Sequence, residues 1–193
     1  MSREEILNRI KQSKTENNLS LPSLDIGITY DDSIIAFCES LKSVAGEMLE
    51  EADLENYIKA LEHKYGAMKF LNTYVSKEIN NPLIPIQMES PHDAKRLDIL
   101  VIEGLNGIAE NGAIWIEEPI LYPRSAIFLT QHLIIFLKKT TILNNLHEFY
   151  QQANFHEKNY GTLISGPSKT ADVEQCLVIG AHGSRSLAVV LID

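Results

Sequence analysis

Two nearly continuous apolar runs, Leu97–Glu103 and Ala126–Leu137, narrow the fold of this chain more than any other feature. A strand with one face in water alternates apolar and polar residues. A run that is apolar at almost every position needs cover on both faces, the pattern of sheets enclosed between helices. The second run reads as two strands, Ala126–Thr130 and His132–Leu137. Further β-rich runs are Met68–Leu71, Ile84–Met88, Gly112–Glu117, Gly161–Ser165, Cys176–Ala181 and Leu187–Ile192. Helices are predicted at Asp32–Glu50, where Ile34, Phe37, Leu41, Val44, Met48 and Leu49 recur at helical spacing, and at Leu54–Tyr65, with Asp53 as cap and Gly66 as stop. A third covers Thr141–Ala153. Helices alternating with buried strands make an α/β layer architecture. Met48 on the first helical stripe reads as core packing rather than as a ligand.

Residues 1–30 read as an N-terminal arm and residues 31–193 as the α/β domain. Within the arm, Ser2–Lys14 is predicted helical, with Ser2 and Glu5 spaced as a capping box and Ile6, Leu7 and Ile10 as a short apolar stripe. Glu16–Ile28 is polar, contains Pro22 and Gly27, and reads as a linker or docking segment.

The 193 residues, 45% hydrophobic and 22% charged, suffice for one domain with a real core. A net charge of −9 with no basic patch argues against nucleic acid as a partner. The start of the chain has no apolar targeting segment, and no run approaches the roughly 18 apolar residues of a membrane span, which points to the cytoplasm. The two cysteines, Cys38 and Cys176, form no CxxC, so this chain is expected to hold no iron–sulfur cluster of its own, and they read as buried thiols. The six histidines show no metal-ligand spacing, and no dinucleotide fingerprint, P-loop, zincin helix or nucleophile elbow is present. No metal, flavin or other cofactor is therefore expected on this chain.

Three segments are rich in the residues of polar sites. In Ser165–Gln175, Gly166-Pro167 breaks a strand. Ser168 or Thr170 is placed to cap a short helix with Asp172 and Glu174 in its first turn, and free helix-start N–H groups beside Lys169 would receive an anion. The bland alternative is a capped turn with no ligand. In Gly180–Ser186, His182 lies between Gly180-Ala181 and Gly183, followed by Arg185. His182 is either a proton-transfer group or a hydrogen-bonded structural residue, and Arg185 either a bidentate clamp for a carboxylate or phosphate or half of a surface ion pair. In Gly107–Ile116, Asn111-Gly112 signals a turn, with Glu110 beside it either facing a site or solvated. The first two loops each follow a short apolar strand. Ligands of open α/β sheets bind outside strand carboxyl ends, so these loops are expected to converge on one anion-seeking polar site with Glu110 at its rim.

These segments together resemble the LUD domain, the family of lactate-utilisation C proteins. The family's signature stands here as Gly166-Pro167-Ser168-Lys169-Thr170-Ala171-Asp172-Val173-Glu174, then Gly180-Ala181-His182-Gly183-Ser184-Arg185, then the apolar Leu187–Asp193, with Ala109-Glu110-Asn111-Gly112 upstream. The opening Arg3-Glu4-Glu5-Ile6-Leu7 also resembles the usual start. Lys169, Asn111 and Ser184 replace the family's usual Arg, Thr and Pro; Lys169 keeps the charge but lacks the planar guanidinium fork. The resemblance implies a Rossmann-like fold of the NagB/RpiA/CoA-transferase group, and membership of a three-protein system that oxidises L-lactate to pyruvate. The iron–sulfur and cysteine-rich motifs of such a system would lie on the partner subunits. Shared fold does not carry chemistry with it, so two other readings compete: an acyl or CoA transferase using Glu110 as nucleophile, and a nucleotide-dependent ligase.

Overall fold

A computed structural model describes residues 2–13, 27–72, 84–85, 90–117, 124–152, 160–173, 176–180 and 183–193. The described chain begins with helix α1 (Arg3–Ser13), α2 (Ser33–Ser43), strand β1 (Glu47–Leu49) and α3 (Leu54–Tyr65). It continues through β2 (Lys69–Asn72), β3 (Ile84–Pro85), β4 (Ile99–Gly104), β5 (Asn106–Ile108) and β6 (Ala113–Glu117). Next come α4 (Ala126–Leu129), β7 (His132–Lys138), β8 (Ile142–Leu143) and α5 (Leu146–Gln152). The last strands are β9 (Gly161–Ile164), β10 (Lys169–Val173), β11 (Cys176–Ile179) and β12 (Ser186–Ile192).

The central sheet has the order β1-β12-β7-β4-β2-β3, with every neighbouring pair parallel. Its middle strands β4, β7 and β12 are the apolar runs, and alternate residues feed two cores, as burial on both faces requires. One face presents Leu100, Ile102, Leu133, Ile135, Leu187 and Val189 to α2, α4 and β6. The other presents Ile99, Val101, Ile134, Phe136, Ala188 and Val190 to Leu54 and Ile58 of α3. The α2 side carries, besides helices, a second sheet of order β8-β5-β6-β9. That sheet has a small core of its own around Ile108, Ala113 and Phe149. The expected layered α/β fold with helices on both faces is what the chain forms.

Four expected elements differ. The helix expected over Asp32–Glu50 stops at Ser43. Gly46 N–H bonds to Leu41 O at 2.9 Å and Ala45 N–H to Lys42 O at 3.0 Å, with Ala45 left-handed at φ 63°. This is a Schellman closure, after which Glu47–Leu49 pair with β12, an interaction that outweighs the helical spacing of Met48 and Leu49. Met48 does pack against the core. Ala126–Thr130, expected as a strand, is helix α4, because a short apolar run has no period of its own. The Thr130 hydroxyl, bonded to Asp98 O at 3.2 Å and His132 O at 3.0 Å, then separates it from β7. The helix expected over Thr141–Ala153 begins only at Leu146, since Ile142-Leu143 pair with β5 and Asn144-Asn145 interrupt the run. The helix expected to follow Gly166-Pro167 is instead strand β10.

In α1, Ser2 and Glu5 form the expected reciprocal cap: Ser2 N–H to Glu5 Oε2 at 2.8 Å and Glu5 N–H to Ser2 Oγ at 3.2 Å. No residue of α1 is buried. Most of the expected linker, residues 16–26, lies outside the described residues. From residue 27 the chain is held by the two residues before α5: Asn145 Nδ2 donates to Ile28 O at 2.8 Å, and Asn144 Oδ1 accepts the Tyr30 N–H at 3.0 Å.

Candidate functional site

The segment that follows β9 is set by close backbone approach. Gly166 has φ 73°, and a Cβ there would lie 2.2 Å from Val44 O at the end of α2. Only glycine fits both conditions. Ser165 Oγ donates to Asn111 O at 2.8 Å, which ties this turn to the Glu110–Gly112 turn. The next residues enter a hairpin: β10 pairs antiparallel with β11 in the register Lys169↔Ile179 and Thr170↔Val178. Two clusters of β-forming residues across a short connection satisfy each other's backbone groups, which a single short helix cannot do. The anion receptor expected from free N–H groups at Thr170–Asp172 is therefore not a helix start. Glu174 lies outside the described residues.

The hairpin brings the second loop back to the first. Ser168 N–H donates to Ser184 O at 2.9 Å, and Ser168 O accepts the Gly180 N–H at 2.8 Å. A Cβ on Gly183 would sit 2.9 Å from Ser168 Cβ. Gly166, Ser168, Gly183 and Ser184, with Ile127 and Phe128 of α4, line a cleft of about 250 Å³. Lys169, next in the chain after Ser168, is exposed. His182, the expected proton-transfer residue, lies outside the described residues.

The third segment is bound up with support. Glu110 Oε1 accepts the Leu146 N–H at 2.9 Å, at the start of α5. Asn111 Oδ1 accepts the Ala113 N–H at 3.0 Å. Gly112, at φ 64°, lies where a Cβ would approach Leu41 N to 2.7 Å. The joined loops follow the carboxyl ends of the short strands β9 and β11, and they lie at the amino ends of the central strands β7 and β12. Arg185 directly precedes β12, and its N–H donates to Gln131 O at 2.7 Å, just before β7.

A group that sequence spacing did not reveal lies beside Arg185 on the α3 face of the sheet. His132 Nδ1 is 2.8 Å from Ser186 Oγ, which is 3.1 Å from the Tyr57 hydroxyl. The His132 side chain is buried, at 2% exposure, with the Tyr65 ring 5.1 Å away. Burial holds its pKa below the usual histidine value; the Arg185 and Lys64 charges act in the same direction and Asp98 opposes them. Burial also pushes the Tyr57 hydroxyl up, against the Ser186 hydrogen bond. His132, Arg185, Asp98, Gln131, Tyr65 and Met68 line a second cleft of about 280 Å³. Its members come from the end of α3 and the starts of β4, β7 and β12, far apart in sequence, so only strand register (Ser186↔His132) shows them together.

Among the described residues no three His, Cys, Asp or Glu side chains are grouped to hold a metal, and no helix is long and apolar enough to cross a membrane. The Cys38 thiol is half-buried, and burial raises its pKa.

Comparison with known proteins places the chain among relatives of this architecture. A Deinococcus radiodurans protein described as a DUF162 family member superposes with a TM-score of 0.62 at 15% identity, covering 86% of this chain and 99% of that one. The protein YkgG of Escherichia coli (strain K12) is 28% identical over 111 residues, 54% of this chain and 48% of that protein. Lactate utilization protein C of Bacillus pumilus (strain SAFR-032) is 30% identical over 144 residues, 69% of this chain and 54% of that protein. Lactate utilization protein C 1 of Bacillus mycoides (strain KBAB4) is 23% identical over 164 residues, 80% and 70%. The chain thus spans about half the length of the first of these curated relatives. The LUD domain family model matches residues 2–192, almost end to end, and the chain belongs to the LUD domain family.

Proposed function

We propose that this chain is the non-redox subunit of an L-lactate utilisation system, supporting oxidation of lactate to pyruvate by cytoplasmic partner subunits that carry iron–sulfur clusters. Relatives that bear the name lactate utilization protein C support the reading. So does the cysteine content: two cysteines without a CxxC cannot ligate a four-cysteine cluster, so the electrons taken from lactate would pass to partners. The observation that carries the site is the Ser168–Ser184 bond, which joins the two signature loops into one polar rim that runs on into the exposed Lys169. Such a rim suits a small anion, held by backbone and hydroxyl donors with the Lys169 ammonium next to them in the chain.

The test is reconstitution. The chain is co-expressed with the proteins encoded by its neighbouring genes, and L-lactate-dependent dye reduction is measured with and without it. Loss of activity on omitting this chain, together with co-purification, supports the reading. Full lactate oxidation by the partners alone overturns it.

A further inference from the structure

The cleft on the α3 face holds a buried, incompletely partnered histidine that the signature loops do not explain. His132 Nδ1 is engaged with Ser186, while Nε2 has no hydrogen bond among the described residues. A ring nitrogen buried at 2% exposure without a partner is costly unless something fills the site. Arg185, exposed on the same cleft, has no ion-pair partner among the described residues. The acid in the cleft, Asp98, has its Oδ2 held by the Lys69 N–H at 2.9 Å and forms no ion pair with Arg185 among the described residues. Lys64, on α3, adds positive charge that acts on His132, and its ammonium lies 4.9 Å from the Tyr65 ring centre.

We propose that His132, Ser186, Tyr57 and Arg185 form a binding site for a small 2-hydroxy carboxylate, separate from the cleft between the signature loops. The carboxylate pairs with Arg185, and the neighbouring hydroxyl meets His132 Nε2. The hydroxyls of Ser186 and Tyr57 both donate and accept, so their chain has two settings. With Tyr57 donating to Ser186 and Ser186 to Nδ1, Nε2 carries the proton and donates. With Nδ1 donating to Ser186 and Ser186 to Tyr57, Nε2 is bare and accepts the ligand's hydroxyl proton in a hydrogen bond. The site thus adjusts to a hydroxyl without any net change of charge. The low basicity of His132 agrees, because a neutral ring is needed for the accepting state. The two clefts lie on opposite faces of the sheet, as alternation along β7 requires: Leu133 lines the first and its neighbour His132 the second. The hydroxy part of this assignment rests on the lactate reading; the carboxylate site stands on the cleft alone.

The experiment is a titration of the full chain, labelled with 15N at histidine, followed through the ring nitrogens of His132. The resonance is assigned by its loss in His132→Asn. L-Lactate, propionate and inorganic phosphate are added in separate arms. The expected result is a saturable Nε2 shift with L-lactate and at least about tenfold weaker binding of propionate, which leaves Nε2 unpaired. Arg185→Gln, at an exposed position, should weaken lactate binding at least about tenfold, and Ser186→Ala should bring lactate toward propionate. If His132→Asn does not fold, the Arg185→Gln and Ser186→Ala arms still decide. Failure of lactate to shift His132, or phosphate binding as tightly as lactate, overturns the site. If reconstituted lactate oxidation persists in that event, only the site fails. If lactate binds but reconstitution needs no such chain, the site stands and the subunit reading fails.

Discussion

Ser168 N–H donates to the Ser184 carbonyl at 2.9 Å across the two signature loops. Fifteen intervening residues, a hairpin among them, separate these serines in the chain. The bond makes one structural unit of two motifs that look independent, so each position in one loop is also a constraint on the other.

Gly166→Ala should be among the most damaging small substitutions. The residue is left-handed, and the added methyl would sit 2.2 Å from Val44 O, which is backbone and cannot swing aside. Strain plus displacement of the α2 terminus should cost about 2–4 kcal/mol. Urea melts showing a loss under about 1 kcal/mol would mean that the turn relaxes freely.

Ala45→Gly should stabilise the protein. Ala45 holds the left-handed position of the closure that ends α2, where a Cβ is unfavourable. Relief of that strain, less the added freedom of the unfolded chain, should yield about 0.5–1 kcal/mol. An unchanged or lower urea midpoint would count against the closure.

Leu41→Ala tests the core beneath the candidate site. Leu41 is fully buried, and its backbone is what Gly112 packs upon. The cavity should cost about 2–5 kcal/mol in denaturant melts. A change below about 0.5 kcal/mol would place this face of α2 in water.

The pH dependence of stability should carry a signature of His132. Its folded pKa lies below the usual value of 6.5, so the unfolded chain takes up a proton first as the medium is acidified. The histidine's contribution is therefore complete above the unfolded pKa and is lost as pH falls from there toward the folded pKa. Melting temperature should drop over that window in the wild type, and less steeply in His132→Asn. Parallel curves for the two proteins would show that the histidine titrates normally.

Lys169→Ala should separate binding from folding. The side chain is exposed beside the joined loops. The change should weaken anion binding several-fold while altering stability by no more than about 0.5 kcal/mol. Equal losses of both would assign the loop a structural role only.

The sequence by itself determined the layered α/β architecture, since Leu97–Glu103 and His132–Leu137 are apolar at consecutive positions and demand cover on both sides. It also marked the Gly166–Ser168 and Gly183–Arg185 loops, whose small residues are poor core material and which prove to be tied backbone to backbone, with glycine where a Cβ would collide. What it did not show was identity of short elements. Ala126–Leu129 and Lys169–Val173 are too short for a period, and their state follows from partners: Thr130 breaking the chain before β7, and β11 completing a hairpin. Nor did it show the Tyr57–Ser186–His132 chain, because three residues on one helix and two strands share no spacing. The parallel register that sets Ser186 against His132 is a long-range pairing, and only tertiary structure decides it.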